Sequence, residues 1–148
     1  VITVRFGNIY GPGDLNFSRI IPGIMQSIIA KKTLKIRSDG TYVRDYIYIK
    51  DVVSAYLFLL SKLDTCKGSA YNISSNDNVS VIKLVETSRR ILHQKIPVSI
   101  ENTVVNEIPY QHLSWKKISR LGRKPYNTLT KGLKETFLWY KKHQQIVI

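Results

Sequence analysis

The sequence predicts an α/β fold, and three features carry that prediction. A strand at Val1–Arg5 runs into a loop holding three glycines and a proline, short strands then alternate with amphipathic helices, and 148 residues, 43% of them hydrophobic, suffice for one core and not for two. Hydrophobic and polar residues are interleaved, which excludes a disordered or collagen-like chain. No uncharged apolar run approaches the roughly 18–20 residues that cross a bilayer, so a soluble protein with no membrane partner is expected.

Taken in order, Val1–Arg5 alternate β-branched and other residues, and Gly7, Gly11, Pro12 and Gly13 mark a tight loop that presents its backbone. Between Phe17 and Lys32, Ile20, Ile21, Ile24, Ile28 and Ala30 recur at near-helical spacing. Pro22 fits only a first turn, so the helix is predicted from about Pro22. Leu34–Ile36 reads as a short strand, Ser38-Asp39-Gly40-Thr41 as a turn, and Tyr42–Ile49, rich in aromatic and β-branched residues, as a second strand. Asp51 suits a cap or first-turn position, and Val52, Val53, Tyr56, Leu57 and Leu60 give the helix that follows one broad apolar face, predicted to lie in the core.

A strand at Ala70–Ile73, a polar turn at Ser74–Asn78 and a helix from about Ser80 to His93 come next. Pro97–Ile100 can add a strand. Ser114 is placed as the cap of a helix ended by Gly122, and Thr130 as the opening of a last amphipathic helix running through Lys142. There is no internal repeat and no low-complexity linker.

Charge narrows the function. Lys and Arg total 23 against 10 Asp and Glu, a net +13, so the surface attracts anions. The basic residues are scattered pairs such as Lys31-Lys32, Arg89-Arg90, Lys116-Lys117 and Lys141-Lys142, without a continuous basic arm. That pattern suits a solubilising surface with a local anion site better than a nucleic-acid face. A basic nucleic-acid-binding module stays open as an alternative, because nine tyrosines could stack on bases.

The lone Cys66 permits neither an internal disulfide nor a Cys-rich zinc site, which points to a reducing cytoplasm. His93, His112 and His143 lack ligand spacing and suit surface or helix-end roles; no metal site and no catalytic residue is assigned. The chain starts inside a strand, without initiator Met or signal peptide, and reads as part of something longer.

The glycines at 7, 11 and 13 have the wrong spacing for a dinucleotide or P-loop cradle. Tyr46 and Lys50 match a Tyr-x-x-x-Lys spacing, but that pair cooperates on one turn of helix, whereas residues four apart on a strand stand about 13 Å apart. Arg44 is the stronger anion-site candidate, since a guanidinium can hold two phosphate oxygens; the alternative is an ion pair with Asp45 or Asp39. Asn8, in a Gly-flanked loop, offers amide donors and acceptors to a ligand or else stabilises the turn.

Val4-Arg5-Phe6-Gly7-Asn8-Ile9-Tyr10-Gly11-Pro12-Gly13, Ile20-Ile21-Pro22 and the run from Asp39 to Val53 together resemble the C-terminal half of the extended short-chain dehydrogenases, the NAD-dependent nucleotide-sugar epimerases and dehydratases. Tyr71-Asn72-Ile73, Glu107–Leu113, Lys117-Ile118 and Leu121-Gly122 before Pro125 extend the likeness over nearly the whole chain. Gly11–Arg19 is similar to the CDP-glucose 4,6-dehydratase-like members.

The resemblance implies the C-terminal part of a Rossmann-type NAD(P)-binding fold with a small α+β substrate-binding lobe, residues 1–148 being the nucleotide-sugar-binding portion. It implies Asn8 on the substrate, Arg44 on the pyrophosphate, Ile20-Ile21-Pro22 beside the nucleotide, Arg19, Ile36 and Arg37 touching the nucleotide, and Gln111 in a stretch that returns to the substrate. Ile36 is equally readable as core, Arg19 and Arg37 as solvated, and Tyr10, Tyr46 and Tyr48 as packing aromatics. NAD would be bound mainly by an N-terminal half upstream of Val1, along with the hydride-transfer groups, so this chain alone is expected to be inactive. The full-length protein would be a dehydratase or epimerase, commonly a homodimer; a non-catalytic remnant is the other reading.

Overall fold

The computed structural model describes residues 1–104 and 107–147. Its strands are β1 (Thr3–Phe6), β2 (Asn8–Tyr10), β3 (Leu34–Ile36), β4 (Val43–Tyr48), β5 (Ala70–Ile73), β6 (Asp77–Ser80) and β7 (Val98–Ile100). The helices are α1 (Ile20–Ala30), α2 (Ile49–Ser61), α3 (Leu63–Cys66), α4 (Val81–Leu92), α5 (Lys116–Ser119) and α6 (Leu129–Lys142), followed by a 3-10 turn at Gln144–Ile146. The α/β expectation holds. No helix among the described residues is long and apolar enough to cross a membrane.

Three small sheets result. β1 pairs in parallel with β5, β3 with β7, and β2 with β4, while β6 returns antiparallel along the other edge of β4. β4 separates two cores, because successive side chains of a strand point to opposite faces. Tyr46 and Tyr48 enter the larger core with Tyr10, Ile24, Met25, Leu84 and Leu133. Ile47 enters the smaller one with Val52, Ala55 and Leu59 of α2 and with Cys66, Tyr71, Ile73 and Ile118.

Several elements differ from expectation for identifiable reasons. α1 starts at Ile20, two residues early, and Pro22 sits at its third position, where a missing N–H leaves no helical bond unmade. Asp77 and Asn78 belong to β6 and not to a turn: pairing with Tyr46 and Asp45 overrides their turn preference. The helix expected from about Ser80 opens at Val81, and the Ser80 hydroxyl accepts from Lys83 N and caps it. Ser114 does not cap α5, whose preceding residue Trp115 provides no side-chain cap. α6 opens one residue before Thr130, and its cap is Thr128, whose hydroxyl accepts from Lys131 N.

The largest correction concerns α2. Of the five residues predicted to turn inward, only Val52 is buried; Val53, Tyr56, Leu57 and Leu60 are 51%, 53%, 62% and 64% exposed. The inward face is instead Val52, Ala55 and Leu59, with Asp51 fully buried in the first turn. Asp51 Oδ1 accepts from Tyr126 N at 3.0 Å and Oδ2 from Asn127 N at 3.2 Å, while buried Arg123 donates to the Asp51 carbonyl at 2.6 Å. A carboxylate in the first turn thus faces the positive end of α2 and anchors the segment leading into α6.

Candidate functional site

The strand register builds the site. Asn8 lies directly across from Tyr46 in the β2–β4 pair, and Arg44 is two residues back along β4, so all three side chains stand on one face. The N-terminus of α1 brings Arg19, Ile21 and Pro22 over that face, and the end of β3 brings Ile36 and Arg37. Together they line a cleft of about 280 Å³. The sequence-predicted residues therefore converge, except Gln111, which is absent from the lining. Gln111 N donates to Val43 O at 3.1 Å and its carbonyl accepts from Asn78 Nδ2 at 3.3 Å.

Arg44 takes neither of its expected alternative partners. Asp39 closes its own turn by accepting from Thr41 N and Oγ1, both at 2.8 Å, and Asp45 points inward to accept from Leu113 N at 2.9 Å. The guanidinium pairs with Glu107, Nη2 to Oε2 at 2.9 Å, and Nη1 donates to Ile108 O at 2.7 Å and Val43 O at 3.0 Å. It also lies 5.6 Å from the Tyr42 ring centroid. These contacts aim it along the cleft wall, leaving its side chain 15% exposed.

Arg19 is held by Asp14 at 2.7 Å and by the Ile9 carbonyl. Arg37 is exposed and makes no side-chain hydrogen bond or ion pair among the described residues. Arg19, Lys35, Arg37 and Arg44 line the cleft against Glu107 alone, so its field favours an anion. Ile36 takes the core place the sequence allowed, 3% exposed in the larger core, and also forms part of the cleft lining.

Among the lining groups that sequence reasoning did not assign to the site are Tyr42, Tyr46 and Glu107. Tyr42 and Tyr46 read as strand aromatics, and Tyr46 does pack in the larger core, yet it also floors the cleft. Its hydroxyl is buried with no hydrogen-bond partner among the described residues, and burial raises its pKa well above the ordinary tyrosine value despite the nearby Arg44. Glu107 had no local signal, since it reaches Arg44 only because residues 109–113 run beside β4, with Val43 N donating to Pro109 O at 2.9 Å. Its place in the Glu107–Leu113 stretch was the available pointer.

Tyr46 and Lys50 do not form an acid-base pair. Tyr46 is in β4, whereas Lys50 is in α2 with Nζ 2.7 Å from Glu135 Oε2, the same oxygen that accepts from Tyr48 Oη at 2.7 Å. The Gly7–Gly13 loop is no dinucleotide cradle either. A Cβ at Gly7 would overlap Asp45, and one at Gly11 would overlap Ile49, so these glycines admit the chain's own atoms and not a phosphate. Gly7 and Gly11 therefore leave no room for a pyrophosphate against their backbone.

The profile of the NAD dependent epimerase/dehydratase family matches residues 1–74, half of the chain. The chain belongs to the NAD-dependent epimerase/dehydratase family. Among curated members, it is 28% identical over 148 residues to a dTDP-4-dehydro-6-deoxy-D-allose reductase of a Streptomyces species, covering 98% of this chain and 44% of that protein. It is 29% identical to human dTDP-D-glucose 4,6-dehydratase, covering 97% of this chain and 42% of that one. Among solved structures of the family, the dTDP-glucose 4,6-dehydratase of Bacillus anthracis in complex with NAD superposes with a TM-score of 0.85 at 27% identity, over 98% of this chain and 46% of that one. The UDP-glucose 4-epimerase of Thermotoga maritima with UDP-glucose gives 0.83 at 26%, over 97% and 46%. The chain spans less than half the length of these relatives, which are nucleotide-sugar enzymes on a Rossmann-type fold.

Proposed function

We propose that this chain is the nucleotide-sugar-binding portion of an NAD-dependent nucleotide-sugar dehydratase or epimerase. The observation that carries the reading is the convergence of Asn8, Arg37 and Arg44 on one basic cleft that Ile21, Pro22 and Ile36 make apolar at its other wall. Such a cleft suits a ligand with an anionic diphosphate and an apolar base face. Arg44, already oriented by Ile108 O and Val43 O, would receive the diphosphate with charge-assisted hydrogen bonds, and Asn8 would orient the neighbouring sugar through its amide. Arg19 and Arg37 would flank the nucleotide, and Gln111 would act only if its segment moved toward the cleft.

On this reading NAD and the groups that transfer hydride belong to polypeptide outside these residues. Two features support a covering partner. β1 and β5 form a parallel sheet of only two strands, and parallel sheets are normally buried on both faces. The exposed face of α2 adjoins it, the Tyr56 ring packing tilted against Phe6 of β1 with centroids 5.3 Å apart. The four exposed apolar side chains of α2 would then be interior in the whole enzyme, homodimeric or not.

Titration of the full-length gene product with UDP-glucose and dTDP-glucose tests the proposal. Arg44→Ala is expected to weaken binding by about 10- to 100-fold, the equivalent of one charge-assisted hydrogen bond of about 1.5–3 kcal/mol. Unchanged affinity in that variant would remove Arg44 from the site.

A further inference from the structure

Beside Asn8 and Arg44, on the same strand face of the cleft, stands a further polar side chain. Tyr46 faces Asn8 across the β2–β4 pair and precedes no other side chain between itself and Arg44 on that face of β4. Its ring floors the cleft, and at 1% exposure its hydroxyl meets no hydrogen-bond partner among the described residues. Its strand neighbour on the other side is Asp77. A buried hydroxyl without a partner destabilises the protein that carries it, because it has lost water and gained nothing in return. Phenylalanine would fill the same volume at no such cost, so packing explains the ring and leaves the oxygen unexplained.

We infer that the Tyr46 hydroxyl is a ligand-positioning group, donating a hydrogen bond to an oxygen of the bound nucleotide sugar between Asn8 and Arg44. The inference rests on the nucleotide-sugar reading of the cleft and goes past it, since it assigns a residue that reads from sequence as a packing aromatic. A tyrosine hydroxyl can donate and accept, and here it remains protonated through the neutral range. With an anionic ligand it therefore adds a donor without adding charge. The bond it makes on binding also relieves the unpaired state of the free protein, which gives the hydroxyl opposite effects on stability and on affinity.

That opposition is the test. In the full-length gene product, Tyr46→Phe removes one oxygen. Ligand-free Tm is expected to stay level or rise, while affinity for UDP-glucose or dTDP-glucose falls about 3- to 10-fold, the loss of one hydrogen bond. Equal affinity in wild type and Tyr46→Phe, with Arg44→Ala still weak, would overturn the role of the hydroxyl and leave the cleft assignment standing. A fall in both Tm and affinity would overturn it too, by assigning Tyr46 to packing alone. If wild type binds neither sugar nucleotide, the cleft reading fails and this inference with it. Should Tyr46→Phe not fold, protein labelled at tyrosine Cζ with the Tyr46 signal assigned provides the second measurement: a ligand-induced shift of that signal larger than those of the other cleft tyrosines, Tyr10 and Tyr42, supports the bond, and its absence at saturation overturns it.

Discussion

Arg44 is oriented by two backbone carbonyls but neutralised by one carboxylate, Glu107, whose side chain is 40% exposed. A diphosphate approaching the guanidinium meets that carboxylate as a like charge a few ångströms away. Glu107→Gln keeps the shape and a hydrogen-bond acceptor while removing the repulsion, and is expected to tighten nucleotide-sugar binding by about 3- to 10-fold at low ionic strength, an effect that added salt erodes. Calorimetric titration at two salt concentrations checks it; weaker binding would mean that the ion pair is needed to aim Arg44. Strand phase brings Asn8 and Arg44, the two residues whose chemistry stood out in the sequence, to one cleft. Glu107 left no local trace because its contact lies 63 residues away, and Gln111 lies outside the lining because its backbone, and not its side chain, is what the neighbouring strand engages.

At the level of elements, two carboxylates hold the C-terminal segment to the lobe. Asp51 is buried beneath Tyr126 and Asn127, whose N–H groups it accepts, and beside Arg123, whose guanidinium is 2% exposed. Burial lowers the Arg123 pKa, with Asp51 pulling it back. Asp51→Ala would keep the carbonyl that Arg123 bonds but remove the carboxylate 3.9 Å from that buried cation and leave two N–H groups without their acceptor, a loss of about 3–5 kcal/mol that the midpoint of urea unfolding would register.

Glu135 of α6 is the exposed counterpart, bonded to Lys50 and Tyr48, which hold its carboxyl below the ordinary value of 4.5. A depressed folded-state pKa stabilises above the ordinary value and loses that contribution as pH falls through the folded one. The stability difference between wild type and Glu135→Gln is therefore expected to be level above pH 4.5 and to vanish on acidification below it, which thermal unfolding from pH 7 to pH 2 would trace. The caps of α4 and α6 show what short-range signals can deliver. The start of α4 near Ser80 was legible from the amphipathic run that follows, whereas Thr128 and Thr130 differ only in which one faces the free N–H groups.

For the molecule as a whole, the exposed side of α2 is the dominant surface feature. Periodicity revealed that the helix is apolar over a wide arc, and the inference that this arc is internal failed because a pattern records that a face is covered without saying by what. Val53, Tyr56, Leu57 and Leu60 form a patch of the kind that marks an association surface. The 148-residue chain, expressed alone, is expected to self-associate in sedimentation velocity, with the weight shifting to monomer in a Leu57→Lys, Leu60→Lys double variant. A wild-type chain that stays monomeric as concentration rises would contradict this.

β4 delivers its alternate residues to two separate destinations: Arg44 and Tyr46 to the cleft side, Asp45 and Ile47 to the interior beneath α2. One residue inserted or deleted between Val43 and Tyr48 would exchange the two sets. The guanidinium would be driven to the interior face, a valine or an aspartate would take its place on the cleft side, Ile47 would leave its core, and α2 would lose its seat in the same event. Ligand recognition and the integrity of this lobe are thus written into a single strand phase, and neither can drift by an indel without the other.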